Sequence, residues 1–267
     1  MRSVDYDVVA PAFDKRYSYR QYGNTRALLR RFLGEAAATA AVEVGCGTGH
    51  WLGEFAGTVG TLIGIDLSWG MLQRARAAVP SATLVRADAV LLPLAAASVD
   101  RILCVNVLHH IPDAAAFLRE CRRVLRPGGV FLTIGLDPHT GTDRWWVYDY
   151  FPAARVADDE RYPSAERIRE LLALAGLSDA ATEVAEHLTG TVPFAEAYER
   201  GSVDRRASSQ LMVIADDEYE AGLERLRVER PVLQTDLRLF ATVAHVPQAV
   251  AAETTAASRA ARPDLMP

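Results

Sequence analysis

The sequence predicts an α/β fold built on a doubly wound, mostly parallel sheet. Three observations predict it. Apolar runs of strand length alternate with amphipathic helical segments; a glycine cluster, "VEVGCGTGHW" at 42–51, follows directly on the first run; and acidic residues, Asp66 and Asp88, stand at the ends of the next two. The 267 residues, 50% hydrophobic and 24% charged, suffice for one substantial core.

Taken in order, strands are predicted at 40–45, 61–66, 82–88, 99–107 and 128–135, with helices between them at 49–57, 69–78 and 114–125. In the last helix Ala115, Leu118, Cys121, Val124 and Leu125 form one apolar stripe, with Arg119, Glu120, Arg122 and Arg123 off it. Pro127 and Gly128 then punctuate its end. An aromatic segment, "LDPHTGTDRWWVYDYFP", interrupts the alternation before a helix at 164–175 with Ser164 as its N-cap. A strand at 180–188, a charged stretch at 190–230 read as two helices or a helix plus loop, and a strand at 235–246 complete a sheet of seven strands. Residues 248–267, rich in Ala, Thr and Arg, are expected to be a disordered tail.

Composition excludes several classes. No run of about 18 apolar residues exists and the N-terminus lacks the apolar core of a secretory signal, so neither a membrane span nor export is expected, and the cytoplasm is the expected compartment. Cys46, Cys104 and Cys121 are odd in number and without CxxC spacing, which argues for buried thiols over disulfides or zinc. A net charge of −5 without a basic stretch disfavours nucleic acid. Of 29 basic residues only Lys15 is lysine, so a P-loop lysine, a core Schiff-base lysine and a Tyr-x-x-x-Lys pair are all missing from the glycine-rich region.

The glycine turn alone is generic to nucleotide-binding folds. A dinucleotide fingerprint, G-x-G-x-x-G, would need glycine at 50, where His50 stands, and this favours a ligand without a pyrophosphate. The runs "VEVGCGTG", "LIGIDLSWGML", "RADAVLLPLAAASVDRILCVNVLHHIPD" and "CRRVLRPGGVFLTI", in this order and spacing over residues 1–135, resemble the class I S-adenosylmethionine-dependent methyltransferases, in the small-molecule group that includes the quinone C-methyltransferases. The resemblance implies a Rossmann-like sheet, an N-terminal helical lid over 1–38, a methyltransferase domain over 39–247, and a helical insertion before the last strand, with residues 136–231 carrying acceptor specificity.

It also implies S-adenosyl-L-methionine as cofactor. Gly45, Cys46 and Gly47 would bring bare backbone to it, and Glu43 would face its amino end unless it is a solvated strand-edge carboxylate. Asp66, with Leu67, would take the ribose hydroxyls; Asp88 and the Ala89 N–H would take the adenine, the alternative for Asp88 being a turn residue. Asn106 to His109 would line the methyl-transfer point, and Tyr17 would contact the cofactor from the lid, where Tyr6, Phe13 and Tyr22 add an aromatic edge. If the segment is extended, one of His109 and His110 points into the cleft, with His109 favoured; His109, His110 and His139 are the candidate bases for an acceptor that must lose a proton. Trp145, Trp146 and Tyr150 are the candidate walls for an apolar or aromatic small-molecule acceptor, with lid packing as the other explanation.

A metal ion is not expected; Asp137 and Asp143 are the carboxylates that keep one in view. The missing Asn/Asp-Pro-Pro-Tyr stretch removes methylation of DNA bases. Two other functions stay open, a protein of the same fold that binds the cofactor without methylating and, with less support, an NAD-type oxidoreductase. A monomer or a homodimer fits either.

Overall fold

The computed structural model describes residues 4–17, 22–34 and 39–248; the expected tail, 248–267, lies outside them except for its first residue. Strands β1 (Ala40–Val44), β2 (Thr61–Asp66), β3 (Thr83–Arg86), β4 (Val99–Val105) and β5 (Leu125–Leu136) are joined by parallel pairings in the order β3-β2-β1-β4-β5. All five residues of β1 are buried and β4 is nearly so, as expected of strands covered on both faces. The period of two sorts them between layers: Val42, Val44, Ile102 and Cys104 enter one core, Ala41, Leu103 and Val105 the other.

Beyond β5 the sheet turns antiparallel. The strand β8 (Val232–His245) pairs with β5 on one side and with β7 (Ser178–Pro193) on the other, while β6 (Arg144–Trp145) pairs with Thr235 and Asp236 of β8, past the stretch that β5 covers. Seven long strands match the expectation; the two-residue β6 makes eight.

Helices α1 (Tyr6–Val9), α2 (Gly23–Gly34), α3 (Trp69–Ala78), α4 (Ala114–Val124), α5 (Trp146–Tyr150), α6 (Pro152–Arg161), α7 (Ala165–Leu174), α8 (Phe194–Glu199), α9 (Ser209–Val213) and α10 (Asp216–Glu229) surround the sheet. The α3 span is the predicted one. In α4 the stripe of Phe117, Leu118, Cys121 and Val124 is buried against Leu171 and Leu172 of α7. Off that stripe, Glu120 accepts from the Leu92 N–H while Arg123 donates to the Leu92 and Leu94 carbonyls, so the polar face fixes the loop after β3. Ser164 caps α7 by accepting from the Arg167 N–H, as predicted.

Three local expectations are corrected. The helix at 49–57 is a single 3-10 turn, Leu52–Phe55, because Gly45, Gly47, Gly49 and Gly57 all take left-handed φ and leave no room for regular turns. The helix before "RPGG" ends at Val124, and β5 already begins at Leu125. The aromatic segment contains α5 and leads into α6, where Pro152 occupies the first turn that tolerates it. Among the described residues no helix is long and apolar enough to cross a membrane.

Helix α10 approaches α5 so closely that a Cβ on Gly222 would stand 2.5 Å from both the Phe151 ring and the Tyr150 carbonyl oxygen. Backbone cannot yield as a side-chain tip can, so overpacking outweighs the helix propensity gained with alanine. Gly222→Ala should lower stability by about 1–3 kcal/mol in urea denaturation.

Candidate active site

The order β3-β2-β1-β4-β5 reverses between β1 and β4, so the connections leave in opposite directions and open a crevice at the carboxyl ends of the strands. The glycine turn lies there. The N–H groups of Gly45 and Cys46 both donate to the Ile65 carbonyl, at 2.7 and 3.0 Å. Gly45 has φ of +70°, and a Cβ on it would come 2.4 Å from Cγ2 of Val107, so position and conformation both demand glycine. Asn106 is held at φ of +56° while its N–H donates to the Ile134 carbonyl at 2.7 Å. A non-glycine residue held there against its preference is a feature of functional sites.

A cavity of about 810 Å³ fills the crevice and continues toward β7 and β8. Tyr17 reaches it from the N-terminal segment; Glu43, Gly45, Cys46 and Gly47 line it at β1, Asp66 and Leu67 at β2, and Asp88 and Ala89 after β3. Asn106, His109 and His110 line it after β4. The two histidines belong to a 3-10 turn, Leu108–His110, so the expectation of an extended segment with one inward side chain is corrected: both face the cavity. The N-terminal segment is tied across the near side. Asp7 accepts from the Ser68 hydroxyl and the Gly70 N–H, both at 2.6 Å, and Tyr6 Oη lies 2.6 Å from His110 Nε2. The Tyr17 ring stacks on His50 at 3.6 Å.

The electrostatics of the near half are acidic. Glu43 is 1% exposed and its Oε2 has no partner, which replaces the reading of a solvated carboxylate. Burial, reinforced by the charge of Asp66, pushes its pKa well up. Burial also raises Asp66, against the N–H groups of Gly47 and Ser68 that donate to its two oxygens at 2.8 Å each. Those bonds clamp the glycine turn to the start of α3 and fix the carboxylate in place. Asp88 is exposed and accepts from the Val90 N–H at 3.1 Å, so it is a turn residue and a cavity wall together. His109 is half-buried; burial, then His110 and Arg161, hold its pKa well below the usual imidazole range, and its buried Nε2 has no partner.

Residues 42–133 match the family model of a methyltransferase domain. A protein of Mycolicibacterium smegmatis named a probable S-adenosylmethionine-dependent methyltransferase is 34% identical over 119 residues, 45% of each chain. A demethylmenaquinone methyltransferase of Staphylococcus aureus is 33% identical over 123 residues, 44% of this chain and 51% of that one. The match therefore spans about half the length of these curated relatives. Phosphoethanolamine N-methyltransferase 2 of Haemonchus contortus, solved with S-adenosyl-L-methionine, shares the fold with a TM-score of 0.60 at 18% identity, over 91% of this chain and 57% of that one. Over residues 42–133 the chain matches a methyltransferase domain, and its relatives there and its overall fold are those of S-adenosylmethionine-dependent methyltransferases.

Several predicted residues are missing from the cavity. His139 does not reach it: it is exposed on the 3-10 turn Pro138–Thr140, and its Nε2 lies 2.7 Å from the Tyr162 carbonyl. Trp146 is buried among core side chains, edge-on to Phe151 at 6.3 Å. Tyr150 sits on the outer side of α5, where its hydroxyl donates to Glu229 at 2.6 Å and Arg225 covers its ring. Of the three aromatic walls only Trp145 lines the cavity. Asp137 accepts from the His139 and Ala165 N–H groups and Asp143 from that of Arg238, so these carboxylates are used by backbone. Among the described residues no cluster of three His, Cys, Asp or Glu side chains is placed to hold a metal ion. The three cysteines are free and buried.

The far half was missed. Arg161 and Tyr162 at the end of α6, Ser209 and Gln210 of α9, and Leu188, Leu237 and Leu239 of β7 and β8 line it. The polar run "RVADDER" carries no apolar stripe that would have announced α6.

A buried carboxyl with a raised pKa loses stability for the fold as pH rises from the unfolded carboxylate value toward the folded one. Glu43→Gln removes that loss. The variant should melt like the wild type near about pH 4 and above it near about pH 7, measured without ligand.

Proposed function

We propose that the protein binds S-adenosyl-L-methionine at the ends of β1 to β4 and directs its methyl group to a small acceptor in the far half of the same cavity, by O- or C-methylation. The observation that carries this reading is one continuous cavity with acids at the ends of three successive strands and a chamber beyond them walled in part by Trp145, Leu188, Leu237 and Leu239. The donor set fits the cofactor: the orphaned, buried Oε2 of Glu43 is an acceptor in want of a cation, and Asp66 is fixed by two N–H groups with lone pairs left over.

The cofactor supplies, when bound, a methyl group already activated by a positive sulfur, so the protein's task is chiefly alignment. Glu43 holds the amino end, Asp66 the ribose, and Asp88 with the Ala89 N–H the adenine. The Tyr17–His50 stack and the bonds of Asp7 cover the near side and exclude water. His109 takes the proton of an acceptor that must lose one: it is half-buried and uncharged, and its Nε2 is uncommitted. Trp145, Leu188, Leu237 and Leu239 receive the apolar or aromatic body of the acceptor.

Asp66→Ala and Asp88→Ala should each weaken calorimetric binding of S-adenosylhomocysteine by about 1.5–3 kcal/mol; unchanged affinity in both would remove the site assignment. Incubation with methyl-labelled cofactor and a panel of phenols, quinols and enolisable carbonyl compounds tests transfer itself. With an acceptor in hand, His109→Ala should lower kcat about 100-fold or more while leaving cofactor affinity unchanged. Because its pKa is depressed, the neutral base persists to lower pH, and the acid limb of the wild-type rate profile should fall below the ordinary histidine value of about 6.5.

A further inference from the structure

The far half of the cavity contains one buried cation. The Arg161 side chain is 7% exposed and Asp158, its partner, is wholly buried; Nη2 donates to Oδ1 of Asp158 at 2.5 Å. That bond leaves Nε and Nη1, buried and without any hydrogen-bond acceptor. Asp158 is already shared, since Tyr148 donates to its other oxygen at 2.8 Å. Two more buried polar atoms in the side-chain group around Arg161 have no partner: Nε1 of Trp145 and Nε2 of His109. They belong to one connected group. Trp145 meets Tyr148 edge-on at 5.3 Å, Tyr148 bonds Asp158, and Arg161 lies over Tyr162, whose ring stacks on His109 at 3.8 Å. Gln210 donates to the Tyr162 hydroxyl at 3.2 Å, closing the group from α9.

Unpaired N–H groups of a buried guanidinium are costly, and the three unpaired donors of Arg161 and Trp145 recognise an anion. Asp158 is occupied and Glu160 stands exposed at the rim. We propose that this end of the cavity binds a carboxylate on the methyl acceptor, with Arg161 as its principal partner and the Trp145 N–H beside it. This rests on the reading of the cavity as donor site plus acceptor chamber. It narrows the acceptor class from any small apolar or aromatic molecule to an aromatic or apolar carboxylic acid: the carboxylate anchors at Arg161, the body lies against Trp145, Leu188 and Leu239, and the nucleophilic atom faces His109.

The test is calorimetric titration of the full chain, saturated with S-adenosylhomocysteine, with benzoate, phenylacetate and cinnamate and with the amide of each. At least one carboxylate should bind tenfold or more tightly than its amide, as expected for charge-assisted hydrogen bonds. In the double variant Arg161→Met with Asp158→Asn, which leaves no unpaired buried charge, the preference should vanish while S-adenosylhomocysteine affinity changes less than twofold. If every amide binds as well as its acid, or phenyl phosphate outbinds all three carboxylates, the proposal is overturned, and this comparison needs no variant. Persistence of the preference in the double variant would overturn the role of Arg161. Failure of the wild type to bind S-adenosylhomocysteine would instead remove the proposed function; the acid and amide comparison is then made on the ligand-free chain, where it decides the carboxylate site by the same criterion.

Discussion

Everything in the cavity depends on β1 having parallel neighbours on both sides. With β2 and β4 hydrogen-bonded to its two edges and a side-chain core against each face, β1 is wholly buried and its end opens on the gap where the sheet order reverses. Glu43 sits inside that apolar strand, with only Val44 between it and the turn, so its carboxyl is enclosed by construction. An enclosed carboxylate with an orphaned oxygen is expensive in the folded protein, and nothing else in the strand can compensate for it. The raised pKa of Glu43 is the fold's response to that cost, and a cation brought to Oε2 would relieve it. The same geometry places Asp66 next door, its oxygens held by the Gly47 and Ser68 N–H groups, so the acid that organises the turn also raises the cost of charging Glu43.

The N-terminal segment is attached by carboxylates of graded burial. Glu186 of β7, 5% exposed, accepts from the Asn24 and Thr25 N–H groups at 3.1 Å each and so caps α2 from across the sheet. The contacts of 4–17 are nearer water: Asp14 bonds the Thr48 hydroxyl and pairs with Arg74, both members of that pair more than a third exposed. Exposed pairs contribute little, whereas a buried cap on orphan N–H groups contributes more. The segment in front of the cavity is thus fastened by exchangeable contacts, and the helix behind it by a fixed one.

The central sheet was legible because its strands are apolar on both faces and end at glycines and acids, patterns that survive without tertiary information. Glu43, Asp66 and Asp88 were legible as strand-end acids, and the structure brings all three to one cavity. What failed was direction. Trp145 and Trp146 are neighbours in sequence, but β6 ends and α5 begins between them, so one ring faces the cavity and the other the core. His139 looked available because it follows β5, and the turn that carries it is capped by Asp137 and aimed at Tyr162. Arg161 was invisible as a site residue: in a chain whose basic residues are nearly all arginine, only the burial imposed by α9 and by Asp158 separates it from those on the surface.

That burial gives the cavity a polarity that composition conceals. Its strand-end half is lined with carboxyl groups, its far half with a guanidinium and N–H donors, and between them stands a histidine that its surroundings keep uncharged. The two ends thus carry opposite hydrogen-bonding demands, an orphaned acceptor at Glu43 and unpaired donors at Arg161 and Trp145. A charged imidazole at the boundary would disturb both ends. Depressing its pKa by burial keeps the two halves electrostatically separate and leaves its Nε2 free to act on whatever atom is held against it. What the far half can bind is therefore limited more by the donors it leaves unpaired than by the aromatic residues around it.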